Sequence, residues 1–301
     1  MAKEHSNKHI IQSLAVNLAI AVAKLIAAVI SGSGAMLAET LHSFADCGNQ
    51  LLLLFGVHRA RRPATVEHPL GYGAELYFWS FMVALLLFTG GGMFSIYEGI
   101  HKLGSPEAVG DLRLSFAILS FSLAMEGWST YGNIVELNAR RGRTGFFRYL
   151  QRTKDSDLIV IFGENSAAVV GLIFALLFLS LAAYTGDGRY DAVGSIAIGA
   201  VLVGVAMFLA TEIKSLLVGE RADPELETTV RSAAAEDPRI ISLHRLLTVQ
   251  RGPGETLVAF KIQVEAELRA PEICVLINEL EKRIRDKRPD ARWLFVEPDM
   301  P

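Results

Sequence analysis

The second apolar segment of the chain carries ionisable residues that could bind a cation. It reads AMLAETLHSFADCGNQLLLLFG and places His42 four residues before Asp46, so both side chains share one helical face. Glu39 lies on the same side, one turn earlier. An imidazole nitrogen and a carboxylate oxygen one turn apart can reach one ion, and this pair suits zinc and several other first-row metals. The alternative interpretation is an internal hydrogen-bond network that holds helices together.

The fifth apolar segment, SDLIVIFGENSAAVVGLIFALLFLS, contains Glu164 and Asn165. An ionisable residue at mid-membrane costs about 2.5–3.5 kcal/mol on insertion scales, so its presence indicates a function. Small neighbours permit close approach of another helix: Gly163, Ser166, Ala167 and Ala168. We therefore predict one metal site formed by His42, Asp46, Glu164 and Asn165.

These residues need membrane helices to position them. The chain is 51% hydrophobic, has a mean hydropathy of +0.34, and gathers its charged residues into clusters. Between the clusters lie apolar stretches near the length of about 20 residues that a membrane helix needs. They span 10–31, 35–57, 76–100, 113–137, 157–184 and 191–217. We predict a six-helix transmembrane bundle over residues 1–218, with a first segment that is retained because MAKEHSNKHI lacks a signal-peptide layout.

Loop charge predicts the orientation. Lys and Arg concentrate in the N-terminal segment and in the loops after the second and fourth segments, which places both termini in the cytoplasm. For a bacterial protein the membrane would be the cell (inner) membrane. The net charge of −3 gives no indication of nucleic-acid binding. The two cysteines, Cys47 and Cys274, lie in very different regions, which argues against a disulfide.

The composition changes after residue 218, and 219–301 reads as a small cytosolic α+β (ferredoxin-like) domain. A short helix near 224–235 precedes a strand at Arg239–Val249. A second strand alternates apolar residues from Val258 to Val264, and Trp293–Val296 is the last strand. An intervening helix has one apolar face: Ile273, Leu276, Ile277, Leu280 and Ile284. With His244 as its one histidine, this domain is predicted to dimerise rather than to hold a metal cluster.

Several blocks carry a family resemblance: AETLHSFADCGNQ, HPLGYGAELYFWSF, EGWSTYGNIVELNARR, ENSAAVVGL, YDAVGSIAIG and the closing FVEPD. Over nearly its whole length the chain resembles the cation diffusion facilitator (zinc transporter) family, and most of all the branch of the mitochondrial zinc transporter nine and its bacterial relatives. The resemblance implies a homodimeric antiporter that exchanges a cytosolic divalent metal for protons, without a prosthetic group.

The family's transport site takes two residues, four apart, from each of the second and fifth helices. The second-helix pair maps onto His42 and Asp46, and the fifth-helix pair falls on Ile161 and Asn165. Ile161 cannot ligate, and Asn165 replaces a carboxylate with a neutral amide. The branch typically has Glu–Asp at the dipeptide, so Glu164 is the candidate for the missing charge.

Outside this cluster, the loop before the third segment carries Glu67 and His68, where the family can hold a second, weaker metal site. A structural turn at Pro69 and Gly71 is the alternative interpretation of this loop.

Other polar residues of the apolar segments are assigned structural roles. We predict that Lys24 pairs with a carboxylate such as Glu39 or Glu98, and that Glu126 serves packing rather than proton coupling. Asp191 is predicted to act as a turn or cap group.

The predicted function is export of a divalent metal, with zinc as the first candidate, by proton-coupled alternating access. Metal entering from the cytoplasm displaces protons from His42 and a carboxylate. One rival is a membrane metalloenzyme, disfavoured because no HExxH motif is present. Another is a transport-impaired relative that binds metal for regulation.

Overall fold

The protein comprises two compact units. The computed structural model describes residues 2–104, 112–142, 144–152 and 156–299. The first unit contains Met1–Phe55, Trp79–Tyr149 and Asp157–Glu212, and the second contains Gly56–Phe78, Leu150–Ser156 and Ile213–Pro301. The composition change predicts a domain boundary at 218/219. The second compact unit contains, in addition, the end of the preceding helix and the loop that carries Glu67 and His68.

Long helices account for the N-terminal two thirds of the chain. They are α1 (Ala2–Ser31), α2 (Gly34–Ala60), α3 (Glu75–Leu86), α4 (Phe94–Gly104), α5 (Arg113–Arg140), the short α6 (Phe146–Arg152), α7 (Ser156–Thr185) and α8 (Arg189–Val218). A π-helical stretch, Leu87–Met93, joins α3 to α4, so Glu75–Gly104 is one continuous helix. Each of the six predicted apolar segments therefore falls in a long helix, which confirms a helical membrane domain.

Three of these helices are long and apolar enough to cross a membrane by length and composition among the described residues. They are Glu75–Gly104, Ile159–Thr185 and Arg189–Val218, and Asn17–Ser31 is a shorter apolar helix. Helix α2 has a lower hydropathy because it carries the polar stripe from Glu39 to Gln50. The polar residues of the candidate site thus lower the hydropathy of α2, by which a membrane-spanning helix is recognised.

Glycines allow the continuous helix Glu75–Gly104, which we call the third long helix, to pack closely against α8. A Cβ on Gly199 would lie 2.8 Å from the carbonyl oxygen of Gly92 and 2.9 Å from the backbone nitrogen of Ile96. Two turns along, a Cβ on Gly99 would lie 2.7 Å from the carbonyl oxygen of Ala192. Only a residue without a side chain permits this backbone approach, which is how helices pack closely in lipid.

The beginning of α2 is tied to the beginning of α8. One carboxylate oxygen of Asp191 accepts a hydrogen bond from the backbone N–H of Gly34 at 2.5 Å, and the other accepts from the hydroxyl of Ser33. A carboxylate at a helix N-terminus satisfies free N–H groups and complements the helix dipole. The predicted capping role of Asp191 is confirmed, and the helix that it caps is α2.

The C-terminal part of the second unit is a three-stranded sheet with two helices. The elements follow as α9 (Pro224–Ala235), β1 (Ile240–Gly252), β2 (Glu255–Val264), α10 (Ala270–Lys287) and β3 (Ala291–Asp299). Strand β2 pairs with β1 antiparallel and with β3 parallel. Apolar side chains of both helices and of β2 share one core with Ile240, Ala291 and Leu294. The predicted α+β class is confirmed, and its αββαβ order is the ferredoxin-like order without a first strand in the described residues.

Candidate metal centre

Helix α2 presents His42 and Asp46 on one face, as their spacing predicts. The imidazole Nε2 lies 3.7 Å from Asp46 Oδ2, which is too long for a hydrogen bond. The His42 side chain is 1% exposed and that of Asp46 is 21% exposed. The two side chains therefore lie next to each other but are not hydrogen-bonded to each other.

Helix α7 meets this face of α2 through Glu164. The side-chain amide of Asn49 donates a hydrogen bond to Glu164 Oε1 at 2.5 Å. Asn49 is fully buried and Glu164 is 8% exposed. Asn49 lies one turn after Asp46, so this bond brings a second carboxylate to the helix pair that holds the predicted metal ligands.

Several buried polar atoms in this cluster have no hydrogen-bond partner among the described residues. They are both ring nitrogens of His42, Asp46 Oδ1 and Asn49 Oδ1. A buried polar atom left without a partner costs about 1–3 kcal/mol, so several within two turns of one helix require an explanation. A bound cation is one way in which such unpartnered nitrogen and oxygen atoms can be satisfied.

Asn165 has different neighbours from Glu164. Its side-chain amide donates to Ser129 Oγ at 3.2 Å, and its backbone carbonyl accepts from Thr130 Oγ1 at 3.3 Å, both on α5. Ile161, one turn earlier, is 41% exposed. The structure therefore brings His42 and Asp46 into one cluster with the Glu164–Asn49 pair, and it engages Asn165 with α5. In the described part of the chain, no group of three or more His, Cys, Asp or Glu side chains is arranged to hold a metal ion as it stands.

Two further charged residues lie beside the cluster. Lys24 on α1 forms a buried ion pair with Glu39 at 3.3 Å, which confirms the predicted pairing. Glu126 on α5 interacts electrostatically with both His42 and Asp46, although its sequence position indicates packing. The signal that could have identified Glu126 is a carboxylate inside a predicted membrane segment, followed by the polar pair Ser129–Thr130.

The loop residues Glu67 and His68 lie apart from this cluster in sequence, and both are exposed. The ring of His68 stacks on that of Tyr72, with centroids 4.4 Å apart. The carbonyl oxygen of His68 accepts from the backbone N–H of Gly71 at 2.9 Å. These contacts are those of a turn, and a weaker metal site at Glu67 and His68 stays a prediction.

Long apolar helices with buried imidazole, carboxylate and amide groups define a class, that of helical membrane proteins that handle cations. The family profile described as the cation efflux transmembrane domain matches residues 10–218. This match covers more than half of the chain, and the chain belongs to the cation efflux family. By this match its N-terminal part is a membrane domain of the cation efflux type.

Curated relatives support the same assignment. The chain is 30% identical over 267 residues to the proton-coupled zinc antiporter SLC30A9, mitochondrial, of Xenopus laevis, covering 85% of this chain and 47% of the relative. It is 31% identical over 248 residues to the human protein of that name, covering 82% and 43%. It is 29% identical over 264 residues to metal tolerance protein C4 of Arabidopsis thaliana, covering 87% and 57%. The chain spans about half the length of these relatives.

Proposed function

We propose that this transporter exports a divalent metal ion in exchange for protons, with zinc as the first candidate. Membership of the cation efflux family supports cation export. The names of the SLC30A9 relatives describe proton-coupled zinc antiport, which supports zinc and protons for this chain. Manganese, iron and cobalt are the alternatives, because a site with carboxylate and amide oxygens is harder than one of His and Asp alone.

The observation that carries the proposal is the set of unpartnered buried atoms on His42 and Asp46. One ring nitrogen of His42 and one oxygen of Asp46 supply two ligands of the kinds that zinc takes. Glu164, held by Asn49, supplies a third when it exchanges this hydrogen bond for the metal. Asn165 then acts from the neighbouring position, where its bond to Ser129 orients α7 against α5.

Proton coupling follows from the chemistry of these ligands. A metal binds neutral imidazole and ionised carboxylate, so binding releases protons and protonation releases metal. Imidazole exchanges protons near neutral pH, which makes His42 suitable as a carrier. In the proposed cycle, movement of the helices exposes the site alternately to the two sides of the membrane, and both termini lie in the cytoplasm. In a bacterium this would be the cell (inner) membrane.

Zinc flux into vesicles containing the purified full chain tests the proposal. His42→Ala and Asp46→Ala are each expected to abolish pH-driven flux. Thr40→Ala is the control, because Thr40 is buried on α2 and its hydroxyl donates within the same helix, to the carbonyl oxygen of Met36 at 2.8 Å. Wild-type flux in both His42→Ala and Asp46→Ala would refute the site. A panel of zinc, manganese, iron and cobalt at two pH values identifies the cargo.

A regulatory metal-binding protein is the second candidate. The engagement of Asn165 with α5 favours it, because the amide at the position of a family ligand is already hydrogen-bonded to Ser129. Such a protein would bind zinc at His42 and Asp46 in detergent and give no flux in vesicles. The exporter gives both.

The open face of the C-terminal sheet supports a homodimer. Leu247, Ala259 and Phe295 are partners in the sheet register and form an apolar row across the three strands. Leu247 is 49% exposed and Phe295 is 55% exposed. Next to this row, Lys261 pairs with Glu297 at 2.9 Å, so the adjacent charges are already compensated. We propose that a second copy of the chain covers this row.

A further inference from the structure

Lys24 places its ammonium group beside the candidate metal centre. Its side chain is 2% exposed, and its ammonium donates to Ser43 Oγ at 2.8 Å and to Glu39 Oε2 at 3.3 Å. Ser43 follows His42 directly and precedes Asp46 by three residues. The ammonium group therefore binds α2 within one helical turn of the proposed metal ligands.

The ion pair with Lys24 uses one of the two carboxylate oxygens of Glu39. It is fully buried, and its Oε1 accepts no hydrogen bond from the described residues. This oxygen lies against Gly171 of α7, where a Cβ would come within 2.5 Å of it. Helices α2 and α7, which meet at Asn49 and Glu164, thus also meet at a second buried carboxylate, nearer the beginning of α2.

In this arrangement the Lys24 ammonium, held on α1, is bound to one oxygen of the Glu39 carboxylate. A structural ion pair buried in the membrane would be expected to satisfy both carboxylate oxygens, because each unpaired polar atom is costly there. Glu39 instead leaves one oxygen available between the two helices that hold the metal ligands. A divalent cation moving from His42 and Asp46 toward the beginning of α2 would reach Glu39 one turn beyond His42.

We propose that Glu39 is a second, transient binding position for a divalent cation, and that Lys24 occupies it in place of the metal until the metal arrives. The inference rests on the proposed function. Lys24 and a divalent cation compete for one carboxylate, since two positive groups repel strongly in a site of low dielectric constant. Arrival of the metal therefore requires the ammonium to withdraw from Glu39 and Ser43.

Calorimetric titration of the purified full chain with Zn²⁺ tests this competition. Lys24→Met removes the tethered cation, so we expect one additional Zn²⁺ per chain, or an affinity at least about tenfold higher as a like-charge repulsion is lost. Lys24→Met/Glu39→Gln is expected to return the stoichiometry and affinity to those of the wild type. Lys24→Arg keeps the charge and is expected to bind as the wild type does. Unchanged binding in Lys24→Met, or the same gain in the double variant, overturns the proposal.

Gly171→Ala supplies a test that retains both charged residues. The added methyl group must displace the Glu39 carboxylate, so flux is expected to fall at least about tenfold while Zn²⁺ affinity at His42 and Asp46 is retained. Gly132→Ala is the control, because a Cβ at Gly132 meets no atom within 4 Å. Wild-type flux in Gly171→Ala overturns the inference. Loss of flux in His42→Ala, measured in the same vesicles, shows whether the exporter proposal stands independently.

Discussion

The side-chain amide of Asn49 donates to Glu164 Oε1 at 2.5 Å and thereby joins α2 to α7 beside His42 and Asp46. The partner of the carboxylate is a neutral amide. A lysine or arginine at this position would compete with an incoming cation by charge, whereas an amide loses only one hydrogen bond when Glu164 turns to the metal. The Asn49–Glu164 contact therefore holds the carboxylate in place and leaves it available.

The first prediction separates Glu164 from its neighbour Asn165. Glu164→Ala is expected to abolish zinc flux, because it removes a carboxylate from the cluster. Asn165→Ala is expected to lower flux by at most about fivefold, since the bond to Ser129 contributes about 1 kcal/mol. Zinc flux into vesicles measures both effects.

Ser129→Ala is the control for Asn165→Ala, because it removes the same hydrogen bond from the other side. Asn165→Asp is expected to leave zinc affinity nearly unchanged, as the new carboxylate would face Ser129. A large gain in affinity would instead place position 165 at the ion, in agreement with the family pattern.

The sequence predicts those features of the fold that depend on local periodicity. The alternation from Val258 to Val264 gives the strand and its buried face, and the spacing of Leu276, Leu280 and Ile284 gives the buried face of α10. The spacing of His42 and Asp46 gives their common face in the same way.

Apart from the Lys24–Glu39 pair, side-chain contacts between distant segments could not be predicted in this way. Adjacent residues on a helix point about 100° apart, so the dipeptide Glu164–Asn165 does not reveal which side chain faces α2. That depends on the rotation of α7, which the bond from Asn49 defines 115 residues away in sequence. The electrostatic interaction of Glu126 with His42 and Asp46 escapes prediction for the same reason, because the packing of separate helices decides its neighbours.

The second prediction concerns the close packing between α8 and the third long helix. Gly199→Ala places a methyl group against the backbone of Gly92 and Ile96, so it should lower the free energy of unfolding by about 1–3 kcal/mol. Gly204→Ala is the matched control on the same helix, because a Cβ there meets no atom within 4 Å. Denaturant unfolding in detergent, followed by tryptophan fluorescence, measures the difference. Equal stability of the two variants would contradict the packing argument.

The third prediction concerns the proposed dimer surface. Phe295→Glu puts a charge into the exposed apolar row and is expected to raise the dimer dissociation constant at least about a hundredfold. Each Phe side chain buried contributes about 1.5–3 kcal/mol, and a two-fold interface buries this side chain from both copies. Analytical ultracentrifugation in detergent measures this constant. Val275→Glu is the control, because Val275 is 51% exposed on α10 and lies outside the row. A dimer that tolerates Phe295→Glu and is lost in Val275→Glu would place the interface on α10.

The fourth prediction is a pH dependence of the C-terminal sheet and helices. Asp237 accepts hydrogen bonds from Arg239 Nε at 2.9 Å and Arg239 Nη2 at 2.8 Å, and a third from Arg283 Nη2 at 3.2 Å. The hydrogen bonds from Arg239, followed by the one from Arg283, hold the pKa of this carboxyl group well below its usual range. A carboxyl group with a lowered pKa in the folded state stabilises the fold above its unfolded pKa of about 3.9, and this contribution is lost as the pH falls below that value.

We therefore expect the free energy of opening of this region to be constant near neutral pH and to decrease from about pH 4 downward. Amide hydrogen exchange of peptides from β2, corrected for the intrinsic pH dependence of exchange, measures it. Asp237→Asn should lower stability at pH 7 by about 1–3 kcal/mol, because both guanidinium groups lose a charged acceptor, and it should flatten the decrease at low pH. Glu297→Gln alters the surface ion pair with Lys261, in which the Glu297 side chain is 63% exposed. It should leave the decrease in place, since such pairs contribute little. An undiminished decrease in Asp237→Asn would assign the acid sensitivity to other carboxylates.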